Sequence, residues 1–295
     1  MSQIVISGTN ETSKEIAFSI AKSMSINICK PVYKIFPDGE SYIRIPCDIK
    51  NAKPIVVQSL IPPQDKSIIE AVLIGDALQE VGVKDPVLVS PYVAYARQDR
   101  IFLQGEPISI RSVLKILSNY YNKLLTIEIH KEESLKYFGK DYVNIKPYVY
   151  IAKNIGFNKS KIVVLSPDEG ALERAKMLSD YLQCEYDYLV KNRDRVTGEI
   201  TMQTKELDVK GRDVIIVDDI ISTGGTITKA AELLKKLGAN KIFVIVAHAM
   251  LLGNALDKLL TSGINKIYSA NTLPRKEGID YVDIGPLLAD YLLNH

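Results

Sequence analysis

Apolar positions along this chain recur in two rhythms. Short runs such as "IVIS", "PIVVQSL", "VLVS" and "LLTIEI" alternate with longer stretches of helical period. Runs of Val, Ile and Leu suit strands buried on both faces, whereas three- and four-residue spacing suits helices with one apolar face. "QIVISG" predicts the first strand and 11–24 the first helix. Extended segments around Val32 and Ile35 lead into "FPDGESYIRI", where Asp38-Gly39 predicts a turn. "PIVVQSL" predicts a buried strand, and 66–81 a helix that turns Ile68, Ile69, Val72, Leu73 and Leu78 toward a core. "VLVSPYVAYA" predicts a strand leaving into a polar loop at Arg97. A helix over 109–121 and the strand "LLTIEIH" complete the first half.

The second half repeats this grammar. "KIVVLSPDEG" is followed by a helix through Tyr181, then "YDYLV", "DVIIVDDIISTGGT", a helix to Leu237 and "KIFVIVAHAM". A short helix near Leu256, the strand "KIYSA" and a terminal helix near Leu287 close the chain. The alternation predicts an α/β protein with mostly parallel sheets. Low apolar density over 139–147, with Pro147, divides it into domains 1–145 and 146–295, and the terminal helix is a candidate to return to the first domain. "IVVQSLIPPQDKSIIEAVLIGDALQEVGV" also echoes "IIVDDIISTGGTITKAAELLKKLGANKIFVIVAH" in order and period, which points to duplication. The first copy lacks the paired acids and the tight glycine loop.

Composition narrows the class. With 295 residues, 46% hydrophobic and 24% charged, the chain is globular rather than disordered. A formal charge of +2 argues against a dedicated nucleic-acid binder. No apolar run is long enough to span a membrane, and "MSQIVISGTNETSKEIAF" lacks the pattern of a secretory signal. Cys29, Cys47 and Cys184 are odd in number and lack close metal-ligand spacing, so they read as reduced thiols of a cytoplasmic protein.

The chemistry concentrates in "VIIVDDIISTGGTI", 214–227. Asp218 and Asp219 fall where a parallel strand delivers residues to the carboxyl edge of its sheet, a common place for ligands. Thr223, Gly224, Gly225 and Thr226 offer backbone N–H groups and hydroxyls at the start of a helix, which suits phosphate. The acids suit sugar hydroxyls or a hard cation. The plainer account is a hydrated strand end and a helix cap. The stretch lacks both "GK[ST]" and GxGxxG, so neither a nucleoside-triphosphate loop nor a dinucleotide fingerprint is present.

Four further stretches carry candidates of their own. In "YARQDR", Arg97 and Arg100 flank Asp99 and could clamp polyphosphate with help from the Gln98 amide, or form a surface Arg–Asp network. His130, after "LLTIEI", reads alone as a hydrogen-bonded residue at a strand end. Asp168 in "SPDEG" reads as a helix N-terminal acid. Lys191, Arg193 and Arg195 in "VKNRDRVTGEI" read as a solvated hairpin. In "FPDGE", Phe36 either stacks on a base or packs beneath the Asp38-Gly39 turn.

Taken together, "VIIVDDIISTGGT", "FPDGE", "YARQDR", "IEIH" and "SPDEG" resemble, in order and spacing across essentially the whole chain, the ribose-phosphate pyrophosphokinase family. The resemblance implies two tandem phosphoribosyltransferase-like domains, the first supplying ATP contacts and the second a ribose 5-phosphate loop. It implies transfer of the β,γ-diphosphoryl group of ATP to the anomeric hydroxyl of ribose 5-phosphate, with Mg²⁺ as cofactor. It further implies Lys191 and Arg193 as catalytic residues, and Phe36, Asp38, Glu40, Arg97, Gln98, Asp99 and Arg100 as ATP contacts. Asp168, Asp218, Asp219, Ser222, Thr223, Gly224, Gly225 and Thr226 would hold ribose 5-phosphate, and His130 and Asp168 the metal. "FPDGE" would reach ATP from a neighbouring subunit, implying at least a homodimer; hexamers are frequent in the resembling family. This chain departs from the family pattern at Ser222, where an acid is common, at Glu128, where the acid is usually Asp, and at Ala171, where glycine is frequent. The rivals are an ordinary phosphoribosyltransferase and a regulatory homologue without synthetase activity.

Overall fold

The computed structural model describes residues 2–157, 161–193, 200–204 and 208–295, with 190–193 and 200–204 as backbone alone. In chain order the first elements are β1 (Ser2–Ser7), α1 (Glu11–Met24), β2 (Asn27–Cys29), β3 (Val32–Ile35), β4 (Ser41–Arg44), β5 (Ala52–Val57), α2 (Gln64–Glu80) and β6 (Val87–Ser90). They continue with α3 (Ser109–Ser118), β7 (Lys123–Ile127), β8 (Asp141–Ile145) and α4 (Tyr148–Ile155). Then come β9 (Ile162–Ser166), α5 (Leu172–Leu182), β10 (Glu185–Arg193), β11 (Ile200–Thr204), β12 (Asp213–Ile221) and α6 (Gly225–Lys236). The last are β13 (Ile242–Ala249), α7 (Ala255–Thr261), β14 (Lys266–Ala270), β15 (Asp280–Val282) and α8 (Gly285–Asn294).

The chain divides into two compact units, 1–145 with 271–274 and 283–295, and 146–270 with 275–282. The first unit is built on a six-stranded sheet in the order β2-β1-β5-β6-β7-β8, parallel throughout. Its inner strands β5, β6 and β7 are largely buried beneath helices, which is why they read as continuous apolar runs. α1 starts at Asn10, whose Oδ1 accepts the Ser13 N–H at 2.9 Å. Its buried stripe Ile16, Ala17, Ile20, Ala21 and Met24 faces inward; each fully buried Ile contributes roughly 2 kcal/mol. α8 belongs to this unit: the Ser19 hydroxyl donates to Asp283 and the Asn271 amide to Glu15 at 3.2 Å.

α2 differs from the sequence expectation in its rotation. Its inward residues are Ser67, Ile68, Glu70, Ala71, Ile74, Gly75 and Leu78, while Ile69 is 54% exposed. A charged residue, Glu70, therefore occupies the buried stripe, and the apolar Ile69 turns outward. Between the second and third strands of the sheet, β3 and β4 form a separate antiparallel hairpin. Cys29 and Cys47 flank it and are joined by a disulfide, their Cα atoms 6.1 Å apart. The expectation of reduced thiols fails for this pair, because 18 residues of sequence separation conceal the return of the hairpin to its own start. Cys184 is free, and its thiol is pushed up to about 11, chiefly by burial.

The second unit carries a sheet in the order β11-β10-β9-β12-β13-β14-β15. It is parallel except for the β10–β11 pair. Its core joins Val163, Leu165, Val214, Ile216, Val244 and Val246 to Ile227, Ala230, Ala231 and Leu234 of α6. With the antiparallel β11 set aside, the parallel strands of each unit, ranked by appearance, lie in the same order: second, first, third, fourth, fifth, sixth. An antiparallel excursion follows the second strand in both, β3–β4 in one and the β10–β11 arm in the other. The internal echo in the sequence is thus matched by topology.

Candidate active site

β12 buries Val214 to Val217 completely, then presents the acid pair. The strand does not stop at the acids, as the sequence suggested. It continues to Ile221, held by pairing of Ile220 with His248 and Ile221 with Ala249 on β13. Asp219 is buried, at 5% exposure, and Asp218 is half-buried. The Asp219 N–H donates to Asp218 Oδ1 at 2.9 Å, and the Ile220 N–H to Asp219 Oδ1 at 2.8 Å. Arg174 of α5 sets its guanidinium 3.7 Å from Asp219 Oδ2. Burial, and then the charge of Asp219, push Asp218 up to about 8, partly opposed by the N–H of Asp219 and by Arg174.

The segment after β12 turns sharply. Gly224 takes the left-handed conformation at φ +75° as the residue before α6, and its carbonyl accepts the Thr228 N–H at 2.9 Å. A Cβ there would sit snugly against Leu259 Cγ at 3.3 Å and the Ala255 carbonyl at 3.4 Å, and it is the left-handed backbone that calls for glycine. Nothing lies within 4 Å of a Cβ built on Gly225, which faces open space. The loop is pinned from β13's side, where the Leu251 and Leu252 N–H groups donate to the Ile221 and Ser222 carbonyls at 3.0 and 2.9 Å. The first N–H groups of α6 have no partners within the helix, and they aim with its positive end across Ser222–Thr226.

Asp168 stands on the neighbouring strand. β9 pairs with β12 through Leu165 and Ile216, which brings Asp168 and Asp218 to the same carboxyl edge. Asp168 is half-buried, and its carbonyl accepts the Ser166 hydroxyl at 2.8 Å and the Ala171 N–H at 3.2 Å. On the other side of β9, β10 pairs only as far as Tyr188 with Ser166 and then runs on with β11 as an arm. Lys191 pairs with Met202 and Arg193 with Ile200. Both candidates therefore sit on the strand backbone of an antiparallel pair, in keeping with the hairpin reading of this stretch. Arg195 lies outside the described residues.

The first unit places its candidates at two points. Phe36 to Glu40 forms the tip of the β3–β4 hairpin: the Phe36 N–H donates to the Glu40 carbonyl and the Gly39 N–H to the Phe36 carbonyl, both at 2.8 Å. Gly39 supplies the positive φ of +95°. Asp38 and Glu40 are exposed. The Phe36 ring meets Tyr42 edge-on at 5.9 Å, with Lys34 Nζ 5.1 Å above it, and stays 39% exposed. The turn reading is thus correct, but Phe36 is presented rather than packed beneath it.

"YARQDR" follows β6, which ends at Ser90, earlier than expected. Arg97 and Arg100 are exposed, and Gln98 and Asp99 half-buried. Gln98 Oε1 accepts the Ser109 hydroxyl at 2.9 Å, fixing the amide at the start of α3. Arg100 lies 4.9 Å over Phe102, and Glu106 caps the next turn by accepting the Phe102 and Leu103 N–H groups at 2.8 and 2.9 Å. His130 is exposed beyond β7, above a fully buried Glu128 held at φ +38°. Among the described residues, no group of three or more His, Cys, Asp or Glu side chains is assembled to hold a metal. No helix there is long and apolar enough to cross a membrane.

Comparison with known proteins decides the family. Residues 4–120 match the N-terminal domain of ribose phosphate pyrophosphokinase, and 149–264 a phosphoribosyl transferase domain. The ribose-phosphate pyrophosphokinase of Aeropyrum pernix is 43% identical over 295 residues, covering 98% of this chain and 96% of the relative. The chain belongs to the ribose-phosphate pyrophosphokinase family. A second member, from Sulfurisphaera tokodaii, is 44% identical across 97% of this chain and 99% of its own. The crystal structure of phosphoribosylpyrophosphate synthetase from Mycobacterium smegmatis superposes with a TM-score of 0.89 at 26% identity, covering 99% of this chain and 98% of that one. Within this pyrophosphokinase framework, two residues escaped the sequence reading. Arg174, six positions after Asp168, pairs with Asp219, and Glu70 is buried with hydrogen bonds to both strands of the β3–β4 hairpin. The available signal was a charge at an inward helical position, legible only once the helix's rotation is known.

Proposed function

We propose that this chain is a ribose-phosphate diphosphokinase that moves the β,γ-diphosphoryl group of ATP to the anomeric hydroxyl of ribose 5-phosphate, releasing AMP. The observation that carries this is the Asp218–Asp219 pair beside the Gly224 turn and the α6 N-terminus, within a chain that matches the family over nearly its full length. The Ser222–Thr226 amides and hydroxyls receive the 5-phosphate. Asp218 and Asp219 accept the ribose hydroxyls, and Arg174 pairs with the inner acid. Asp168 borders the same edge. Phe36, Asp38 and Glu40 contact adenine, while Arg97, Gln98, Asp99 and Arg100 hold the phosphates.

Lys191 and Arg193 approach the group in flight from the β10 arm, offsetting charge on its oxygens. Phosphoryl transfer is chiefly a matter of alignment and charge, and no residue need act as a strong base. Asp168 and His130 would hold Mg²⁺. The Asp168 carboxylate, half-buried at the sheet edge, is the kind of oxygen donor this ion prefers, and His130 would act through water. When bound, the ion supplies charge neutralisation to the polyphosphate. Ser222 replaces a negative charge common in the family, and the backbone cradle is unaffected by that loss.

The exposed Val32, Ile35 and Phe36 of the hairpin, with Ile101, Phe102 and Leu103, support a homo-oligomer of at least two copies. Cytoplasmic residence accords with its two substrates, and a disulfide does not exclude it, since some intracellular proteins are rich in them. Incubation with ATP, ribose 5-phosphate and Mg²⁺ tests the proposal. AMP and phosphoribosyl pyrophosphate should appear in equal amounts; ADP would overturn it.

A further inference from the structure

The two units share one strand order, and their equivalent edges have opposite contents. β5 stands where β12 does, so that "IVVQS" takes the place of "IIVDD" and Gln58 that of Asp218. Likewise β1 stands where β9 does, and "ISGT" takes the place of "LSPD", with Thr9 in that of Asp168. In the second unit this edge is lined by acids. In the first it is closed by hydrogen bonds among buried side chains. Gln58 is inaccessible and Thr9 7% exposed. Gln58 Oε1 accepts the Thr9 N–H at 3.0 Å, and its amide donates to Thr9 Oγ1 at 3.2 Å and to the Ser67 carbonyl at 3.4 Å. A Cβ on Gly8 would run into the Gln58 side chain and the Val57 carbonyl, so the approach is possible only with glycine there.

Glu70 completes this network and directs it elsewhere. At 3% exposure it is a buried acid on the inward face of α2. One carboxylate oxygen accepts from the Thr9 hydroxyl. The other accepts from the Tyr33 hydroxyl at 2.8 Å and the Ser41 hydroxyl at 3.0 Å. Tyr33 belongs to β3 and Ser41 to β4, one on each strand of the hairpin whose tip is Phe36–Glu40. The hairpin lies outside the main sheet and exposes most of its residues, so it has little apolar burial to hold it. Its ends are tied by the Cys29–Cys47 disulfide and its middle by Glu70. Hydrogen bonds to a charged group are about twice as strong as neutral ones, and a buried carboxylate must be fully satisfied to be tolerated.

We propose that Glu70 is a positioning residue for ATP: it fixes the β3–β4 hairpin so that Phe36, Asp38 and Glu40 are presented in one orientation, using an edge of the first unit that no longer binds a ligand of its own. This rests on the reading of the hairpin tip as an ATP contact. Glu70 touches no substrate and acts through Tyr33 and Ser41.

The test uses the full-length protein with its disulfide intact and two readouts. Glu70→Leu removes the acceptors, Glu70→Gln keeps one, and Tyr33→Phe with Ser41→Ala removes the hairpin's donors while leaving the Glu70–Thr9 bond, in case the Leu variant does not fold. Expected are a KM for ATP raised tenfold or more in the Leu variant and in the double variant, a KM for ribose 5-phosphate unchanged within twofold, and rescue of most of the loss by Gln. Hydrogen exchange over 32–44 should quicken in the same variants and not in Glu70→Gln. Equal losses in Gln and Leu, or unchanged exchange over 32–44 in the Leu and double variants, would overturn the anchoring role. Phe36→Ala separates the two ideas. If it raises the KM for ATP while the anchor variants do not, the inference fails and the ATP reading stands. If neither raises it, the ATP reading fails and the positioning role falls with it.

Discussion

Replacing Asp218 by Asn should stabilise the ligand-free protein while destroying its activity. Burial and the neighbouring Asp219 charge lift this carboxyl from 3.8 to about 8. The folded protein therefore binds a proton that the unfolded chain releases between those values, and stability falls as pH rises through that window. At one pH unit per roughly 1.4 kcal/mol, the ceiling near neutral pH is about 5 kcal/mol. Solvent reaching the half-buried group and adjustment of Arg174 reduce the expected gain to about 2 kcal/mol. In a domain of this size that is about 4–8 °C in Tm. Asn keeps an oxygen for the Asp219 N–H, now received at 2.9 Å, so the strand end is preserved. Thermal melts without divalent cations, over pH 4 to about 8.5, are the assay. Asp218→Asn should melt above the wild type at the alkaline end, and the gap should close toward pH 4. A variant that melts lower by the same margin at every pH would refute the argument, since the carboxylate would then be contributing stability.

Gly224→Ala places a side chain at φ +75° against Leu259 and the Ala255 carbonyl. The strain of about 1–2 kcal/mol should weaken ribose 5-phosphate binding about tenfold in calorimetry and leave ATP binding unaltered; an unchanged sugar affinity would count against the loop as the phosphate cradle. Lys191→Ala should lower kcat by a hundredfold or more, the scale of one lost transition-state contact. Its ribose 5-phosphate Kd should stay within threefold. Weakened binding with intact turnover would remove Lys191 from the catalytic set.

Much of this architecture is legible in the sequence because strands covered on both faces must be apolar throughout. That single constraint exposes β1, β5, β6, β7, β9, β12 and β13. The phosphate loop is legible because a left-handed turn before a helix calls for glycine, which places Gly224 without coordinates. Other features depend on which way an element faces. Helical spacing around α2 admits more than one apolar stripe, and it is packing that turns Ile69 out and Glu70 in. Arg174 looks like an ordinary helix charge until α5 sets it beside Asp219. The polar stretch around Lys191 and Arg193 reads as a hairpin, and the antiparallel pairing of β10 with β11 agrees, but the sequence does not show that β10 also joins the main sheet through β9. Cys29 and Cys47 meet only because the hairpin between them folds back, and no spacing along the chain records that.

The central claim is that the sugar's anomeric oxygen attacks the β-phosphorus and its bond to carbon is never broken. Ribose 5-phosphate carrying heavy oxygen at the anomeric hydroxyl, turned over with ATP and Mg²⁺ and followed by phosphorus NMR, reads this directly. The account expects the label to remain in the bridge between the anomeric carbon and the transferred diphosphate, seen as an isotope shift of the bridging phosphorus, with AMP unlabelled. A product phosphorus without that shift would mean carbon–oxygen cleavage, and would contradict it.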